Sequence, residues 1–272
     1  MITFPACKIN IGLNIISKRS DGFHSIETIF YPIPWTDILE IVPNGQEGSN
    51  VDFRSTGLRL FGPKEKNLCL KAYQLLAEKF PVPSIKMHLH KVLPIGAGLG
   101  GGSSDAASTL ILLNKIFKLG ANDDELESMA LTLGSDCPFF IRNKPMLATG
   151  KGEILHPINL KLKNYFIVIV KPRTHISTSE AYSSIKPSKP KHQLSDLIQR
   201  PIAEWKDCIF NDFEQTIFEK HPGIKNIKNK MYKLGAIYAS MSGSGSSVYG
   251  IFNQEKHLSA YFRSCTVWQS YL

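Results

Sequence analysis

The stretch LPIGAGLGGGSSDAAS, residues 93–108, decides how this chain is read. Five glycines fall within residues 96–102, and a helical pattern follows at once. Glycine loses more backbone entropy on ordering than any other residue, so such a density needs a physical reason. Gly96, Gly98, Gly100, Gly101 and Gly102 permit positive φ and let successive N–H groups turn onto one small concavity. Ser103 and Ser104 read as N-cap residues, and Ala106, Ala107, Leu110, Ile111, Leu113 and Phe117 follow at helical spacing. Lys115 and Lys118 stand near the expected end, with Gly120 as the stop. A glycine loop feeding a helix N-terminus is an anion site, because unpaired N–H groups and the helix dipole both favour negative charge. The competing reading is a flexible loop without a ligand, and the capped helix weighs against it. Phosphate is the first expectation.

The two commonest phosphate signatures do not fit. A Walker A loop needs a Lys directly after its last glycine, and none follows here. The dinucleotide pattern G-x-G-x-x-G can be laid on Gly96, Gly98 and Gly101, with Asp123 and Asp124 near the distance of the ribose-binding acid. Those two aspartates read better as the start of a helix.

Bulk properties narrow the class. The chain has 272 residues, is 43% hydrophobic and carries a net charge of +9, which fits one or two packed domains. The opening MITFPACKIN has no apolar signal core, and nowhere do 18 apolar residues run together, so neither secretion nor a membrane span is expected. The five cysteines (Cys7, Cys69, Cys137, Cys208, Cys265) are odd in number, far apart and without a C-x-x-C pair. They predict reduced thiols, a cytoplasmic protein and no zinc site. The lysines are scattered, with modest groups at 186–191 and 225–233 that lack interleaved aromatics. Attraction for polyanionic small molecules explains the charge as well as RNA does, and RNA binding stays the weaker class.

Along the chain, residues 67–80 read as a helix, 84–94 as the strand entering the glycine loop and 165–172 as a strand buried on both faces. A helix is predicted over about 123–133, begun by Asn122 or Asp123 with Glu125 in a capping box and ended by Gly134. Further helices are expected near 193–199, 211–220 and 223–234, after a loose proline-bearing stretch from 186 to 201. Strands and helices mix without a regular βαβ period, which predicts an α+β fold.

Three places besides the loop offer chemistry. Lys8 and Asn10 lie two apart on a predicted strand and so share a face, lining either a polar cleft or merely an exposed sheet. Asp136 adjoins the apolar run CPFFI, as a partly desolvated general base or as a plain local cap. The turn DGFH, residues 21–24, brings an aromatic and a histidine together. No paired histidine spacing suggests a metal cage, and no metal ligands are assigned.

The segments PACKINIGLNIISKRSDGFHSIET (5–28), LPIGAGLGGGSSDAAS (93–108) and MSGSGSSVYGIF (241–252) occur in that order. This arrangement resembles the three motifs of the GHMP kinase superfamily. Within it, GLGGGSSDAA and DGFHSIET are similar to the branch whose acceptor is 4-diphosphocytidyl-2-C-methyl-D-erythritol, whereas mevalonate and homoserine kinases usually carry a loop nearer GLGSSAA. NLCLKAYQLL (67–76), LGSDCPFF (133–140), ATGKGEIL (148–155) and NDFE (211–214) resemble further blocks of that branch. Cys7 stands where the family more often has Ala, and Phe23 where Tyr is commoner.

The resemblance implies a two-domain α+β GHMP kinase fold: a ribosomal-protein-S5-domain-2-like N-terminal domain over residues 1–155 and a ferredoxin-like C-terminal domain over 156–272. It implies ATP with Mg²⁺ as phosphoryl donor and a small-molecule acceptor in isoprenoid precursor synthesis, with another small-molecule GHMP kinase as the alternative. Residues Pro94, Ile95, Gly96, Ala97, Gly98, Leu99, Gly100, Gly101, Gly102, Ser103 and Ser104 are then the ATP cradle. Asp136 is the base, Lys8 its catalytic partner, and Asn10, Phe23, His24 and Tyr182 contact the acceptor. Neither nucleic acid nor membrane is an expected partner.

Overall fold

The computed structural model describes every residue except 46, 47, 49 and 184. The chain forms two compact units that interleave along the sequence: 1–7, 32–95 and 100–144 make the first, and 8–31, 96–99 and 145–272 the second. The glycine loop is therefore divided, its first four residues belonging to one unit and the rest to the other.

The first unit is a sheet with helices. Its strands are β1 (Ile2–Thr3), β4 (Ile38–Pro43), β5 (Val51–Gly57) and β6 (Ile85–Lys91), in the order β1-β4-β6-β5. The alternation read in 84–94 holds, because Ile85, Met87 and Leu89 are buried while the residues between them are more exposed. Helices α1 (Leu68–Ala77), α2 (Gly101–Phe117), α3 (Asp123–Leu133) and α4 (Cys137–Arg142) belong to this unit. The α1 start is set by the Asn67 side chain, which accepts from the Cys69 N–H at 2.8 Å. The predicted capping box at α3 forms in full: Asn122 accepts from Glu125 N–H and Glu125 accepts from Asn122 N–H, with Gly134 as C-cap. At α2 the structure differs from the sequence reading. The N-cap is Gly100, in the left-handed region at φ 70°, and both serines lie inside the first turn. Lys118, not Gly120, is the left-handed C-cap.

The second unit contains two antiparallel sheets. Strands β2 (Ala6–Lys18) and β3 (His24–Thr36) reach it with most of their length, joined by β7 (Met146–Thr149) and β8 (Ile154–Pro157) in the order β2-β3-β7-β8. The other sheet holds β9 (Phe166–Lys171), β10 (Tyr238–Met241), β11 (Val248–Phe252) and β12 (Thr266–Tyr271), in the order β10-β11-β9-β12. Strand β9 lies between β11 and β12 and is buried throughout, as its unbroken apolar run requires. Helices α5 (Thr178–Ser183), α6 (Leu194–Leu197), α7 (Ile202–Cys208), α8 (Phe213–Lys220) and α9 (Pro222–Lys233) complete it. Ile224, Ile227 and Met231 on α9 pack into one core with Val168, Val170 and Val248. Helices α5 and α7 were not expected from periodicity; each is under two full turns, too short to repeat a pattern.

Candidate active site

In the second unit the DGFH region and the start of β2 carry the polar groups. Lys8 and Asn10 are nearly excluded from solvent, at 3% and 2% exposure, so the exposed-sheet alternative is removed. Lys8 Nζ donates to Asn10 Oδ1 at 2.6 Å and lies 4.5 Å from the centroid of the Phe30 ring. Asn10 Nδ2 donates to Thr28 Oγ1 at 3.0 Å, and the Thr28 hydroxyl donates to Gly12 O at 2.6 Å. A buried ammonium set in a chain of oriented dipoles is preorganised to stabilise negative charge.

The same unit explains part of the glycine content. Lys8 N–H donates to Leu99 O at 2.9 Å, and Ser247 N–H to Ala97 O at 3.2 Å. Ser242 Oγ accepts from Asn10 N–H at 3.2 Å and donates to Gly98 O at 2.8 Å. A Cβ on Gly98, which has φ +76°, would stand 2.0 Å from Ser242 O. The close neighbour at Gly98 is thus the protein's own SGSGSS turn. Asn211 holds that turn by donating to Met241 O and Gly243 O, both at 2.8 Å, and Glu214 accepts from Met241 N–H at 2.8 Å. The NDFE block is the scaffold of the third motif, a role that spacing alone does not reveal.

In the first unit, α2 begins with no side chain capping its N–H groups. The leading N–H groups of the helix have no intrahelical acceptor, as at any helix start, and here no side chain takes their place. Gly101 and Gly102 have ordinary φ, so the expectation of positive φ fails there. Gly101 is crowded, since a Cβ would meet Leu93 Cβ and Lys91 Nζ at 3.2 Å each. Gly102 is exposed, and its Cβ would meet only Leu68 Cδ1, at 3.9 Å.

Beneath this helix start lies a group that the motif reading missed. Lys91 Nζ donates to Asp37 Oδ2 at 2.5 Å and to Asp105 Oδ2 at 2.6 Å, all three residues being buried. Asp37 Oδ1 also accepts from the N–H groups of Val92 and Leu93, at 2.6 and 2.8 Å. The triad ties the strand entering the loop to the helix leaving it. Burial pushes the Asp105 carboxyl up to about 7 against the pull of the Lys91 charge.

Asp136 is half-buried at the N-cap position of α4, yet its carboxylate does not cap that helix. The neighbouring Cys137 thiol is pushed up to about 11 by burial and is no nucleophile at neutral pH.

Polar contacts close the DGFH turn. Arg19 Nε and Nη2 donate to the Asp21 carboxylate, and Arg19 N–H donates to Phe23 O at 2.8 Å. Phe23 is 53% exposed, with Lys151 Nζ 4.8 Å from its ring centroid. His24 stacks on Tyr182, with centroids 4.7 Å apart and planes at 21°, and Tyr182 meets the Phe213 ring edge-on. The face of Tyr182 that His24 covers is closed to any other ring. Burial, with the Lys18 charge nearby, holds the His24 imidazole below its usual value, so it is neutral at neutral pH.

Comparison with known proteins fits this geometry. Residues 67–144 match the model of the GHMP kinases N terminal domain, and residues 194–264 that of the GHMP kinases C terminal domain. The chain is 48% identical to the 4-diphosphocytidyl-2-C-methyl-D-erythritol kinase of Parabacteroides distasonis, covering 100% of each chain. The chain belongs to the GHMP kinases, among the 4-diphosphocytidyl-2-C-methyl-D-erythritol kinases. The enzyme of that name from Bacteroides fragilis is 51% identical over 95% of this chain and 94% of its own. A crystal structure of 4-(cytidine 5'-diphospho)-2C-methyl-D-erythritol kinase superposes with a TM-score of 0.85 at 29% identity, covering 99% of this chain and 98% of the other. ATP use follows from the family. No helix among the described residues is long and apolar enough to cross a membrane.

Proposed function

We infer that this kinase transfers the γ-phosphoryl group of ATP to the 2-hydroxyl of 4-diphosphocytidyl-2-C-methyl-D-erythritol, a step of isoprenoid precursor synthesis. The observation that carries this reading is full-length identity of 48% to an enzyme of that name. The uncapped start of α2 and the buried Lys8–Asn10 pair supply fitting chemistry. The hydroxyl oxygen attacks the γ-phosphorus as the bond to the β-bridging oxygen breaks, and ADP leaves. Asp136 takes the hydroxyl proton, and Lys8 stabilises the charge that develops in transfer.

The stretch from Pro94 to Ser104 holds the ATP phosphates through backbone N–H groups. Mg²⁺ would be brought by ATP and would supply charge neutralisation at the phosphates. Asn10 orients Lys8, Phe23 offers an open ring for the cytosine, and neutral His24 accepts from its amino group. Tyr182 acts through His24, whose ring it backs. Residue 155 is retained as the division between domains 1–155 and 156–272, with the two family segments on either side. The partners are small molecules, and a thiol-bearing, ATP-using enzyme belongs in the cytoplasm.

An ADP-release assay with ATP·Mg tests the function. The cytidyl substrate is expected to turn over far faster than mevalonate or homoserine; equal or better turnover of either overturns the assignment.

A further inference from the structure

In the second unit, the ring of His175 lies against the first glycine of the loop. A Cβ on Gly96 would stand 2.5 Å from His175 Cε1 and 3.0 Å from Nδ1. The segment that presents this ring is held on both sides. Lys171 Nζ donates to Pro172 O at 2.7 Å and Thr174 O at 3.1 Å, and Ser246 Oγ donates to Thr174 O at 2.5 Å. On the other side Ile176, 3% exposed, is packed into the hydrophobic core. His175 itself is exposed, and its ring nitrogens make no hydrogen bond within the described residues. The run KPRTHIS, residues 171–177, carries Lys171, Arg173 and His175 and no acid. An imidazole that merely filled space would not need an anchored backbone on each side. A donor meant for an anion would, because fixing it beforehand lowers the entropy cost of binding.

We propose that His175 is a phosphate-binding residue of this kinase, its imidazole donating to an anionic phosphate oxygen bound beside Gly96. This rests on the kinase reading above. The phosphate belongs either to ATP or to the diphosphate of the cytidyl acceptor; both present the same oxyanion chemistry.

The test compares wild type, His175→Ala and His175→Gln for KM and kcat, varying ATP and the cytidyl substrate in turn. His175→Ala is expected to lower kcat/KM for one of the two by about tenfold, the scale of one charge-assisted hydrogen bond. Its melting temperature should stay that of wild type, since the side chain is exposed. His175→Gln, which keeps an N–H donor, should recover part of the loss. A loss confined to ATP assigns its phosphates, and a loss confined to the acceptor assigns the diphosphate. Values of kcat/KM within twofold of wild type for both substrates overturn the proposal. If wild type does not turn over the cytidyl substrate, the kinase reading fails instead. Calorimetric titration of wild type and His175→Ala with ATP, and separately with cytidine diphosphate, then decides the residue, unchanged affinity for both overturning it.

Discussion

Gly98 and Ser242 are in direct contact: the Ser242 hydroxyl donates to the Gly98 carbonyl at 2.8 Å, and a Cβ on Gly98 would fall 2.0 Å from Ser242 O. No side-chain motion relieves a clash with a carbonyl, and φ +76° is strained for any other residue. Gly98→Ala is therefore expected to lower the melting temperature and ATP affinity together. Gly102 is the contrasting case, open on its own chain, where on the proposed cradle a side chain would meet the incoming phosphates. Gly102→Val should keep the wild-type melting temperature and raise the KM for ATP at least about tenfold. Calorimetry with thermal melts checks both; wild-type ATP affinity in Gly102→Val would count against the cradle. Gly101→Val is a poorer probe, because its crowding by Leu93 and Lys91 disturbs the buried triad.

Asp136→Asn and Lys8→Met test the chemistry. A positioned base contributes about 10²–10⁴-fold, so each variant should lose at least about a hundredfold in kcat. Neither should change the KM for ATP greatly. The double variant should be little worse than the poorer single one, since residues serving one transition state are not additive. Near-wild-type turnover in Asp136→Asn removes it as base.

The acceptor end divides its tasks. Phe23→Ala is expected to raise the KM for the cytidyl substrate severalfold, stacking being worth roughly 1–3 kcal/mol per base, and to leave that for ATP alone. His24→Ala should also erode the preference for cytosine over uracil, because a polar site left unpaired rejects the wrong base. The preference is measured with a uridine analogue, and its full retention excludes His24 as the reader of the base edge.

The His24 reading has a pH signature. Its imidazole is held below the usual value, so it accepts a hydrogen bond at neutral pH and loses that ability on protonation. The KM for the cytidyl substrate should rise as pH falls below about 6.5, and not as pH rises above it. In His24→Ala that acid-side rise should disappear.

Asp105 makes stability depend on pH in the direction opposite to a carboxylate whose value folding lowers. Its folded value is raised to about 7, whereas an unfolded Asp titrates near about 3.9. The folded state thus holds the proton more tightly, and the contribution is full below about pH 4 and lost as pH rises through about 7. Thermal melts from pH 5 to 8 should show a decline in wild type that is smaller in Asp105→Asn. An equal decline in both places the titrating group elsewhere.

What the sequence determined by itself is local. The Asn122–Glu125 capping box, the buried strand at 166–171, the helical stripe of α9 and the pairing of Lys8 with Asn10 on one face rest on residues a few positions apart. Periods of 2 and 3.6 carry that information. The glycine loop and its helix were legible too, but not why each glycine is there. Gly98 is a glycine because of Ser242, 144 residues away. Asp37 reaches Lys91 across 54 residues, Asn211 reaches Met241 across 30, and His175 lies on Gly96. None of these pairings leaves a period in the chain. They exist only because strands and turns distant in sequence fold into one unit, where a buried polar group must find its partner or carry the full cost of desolvation.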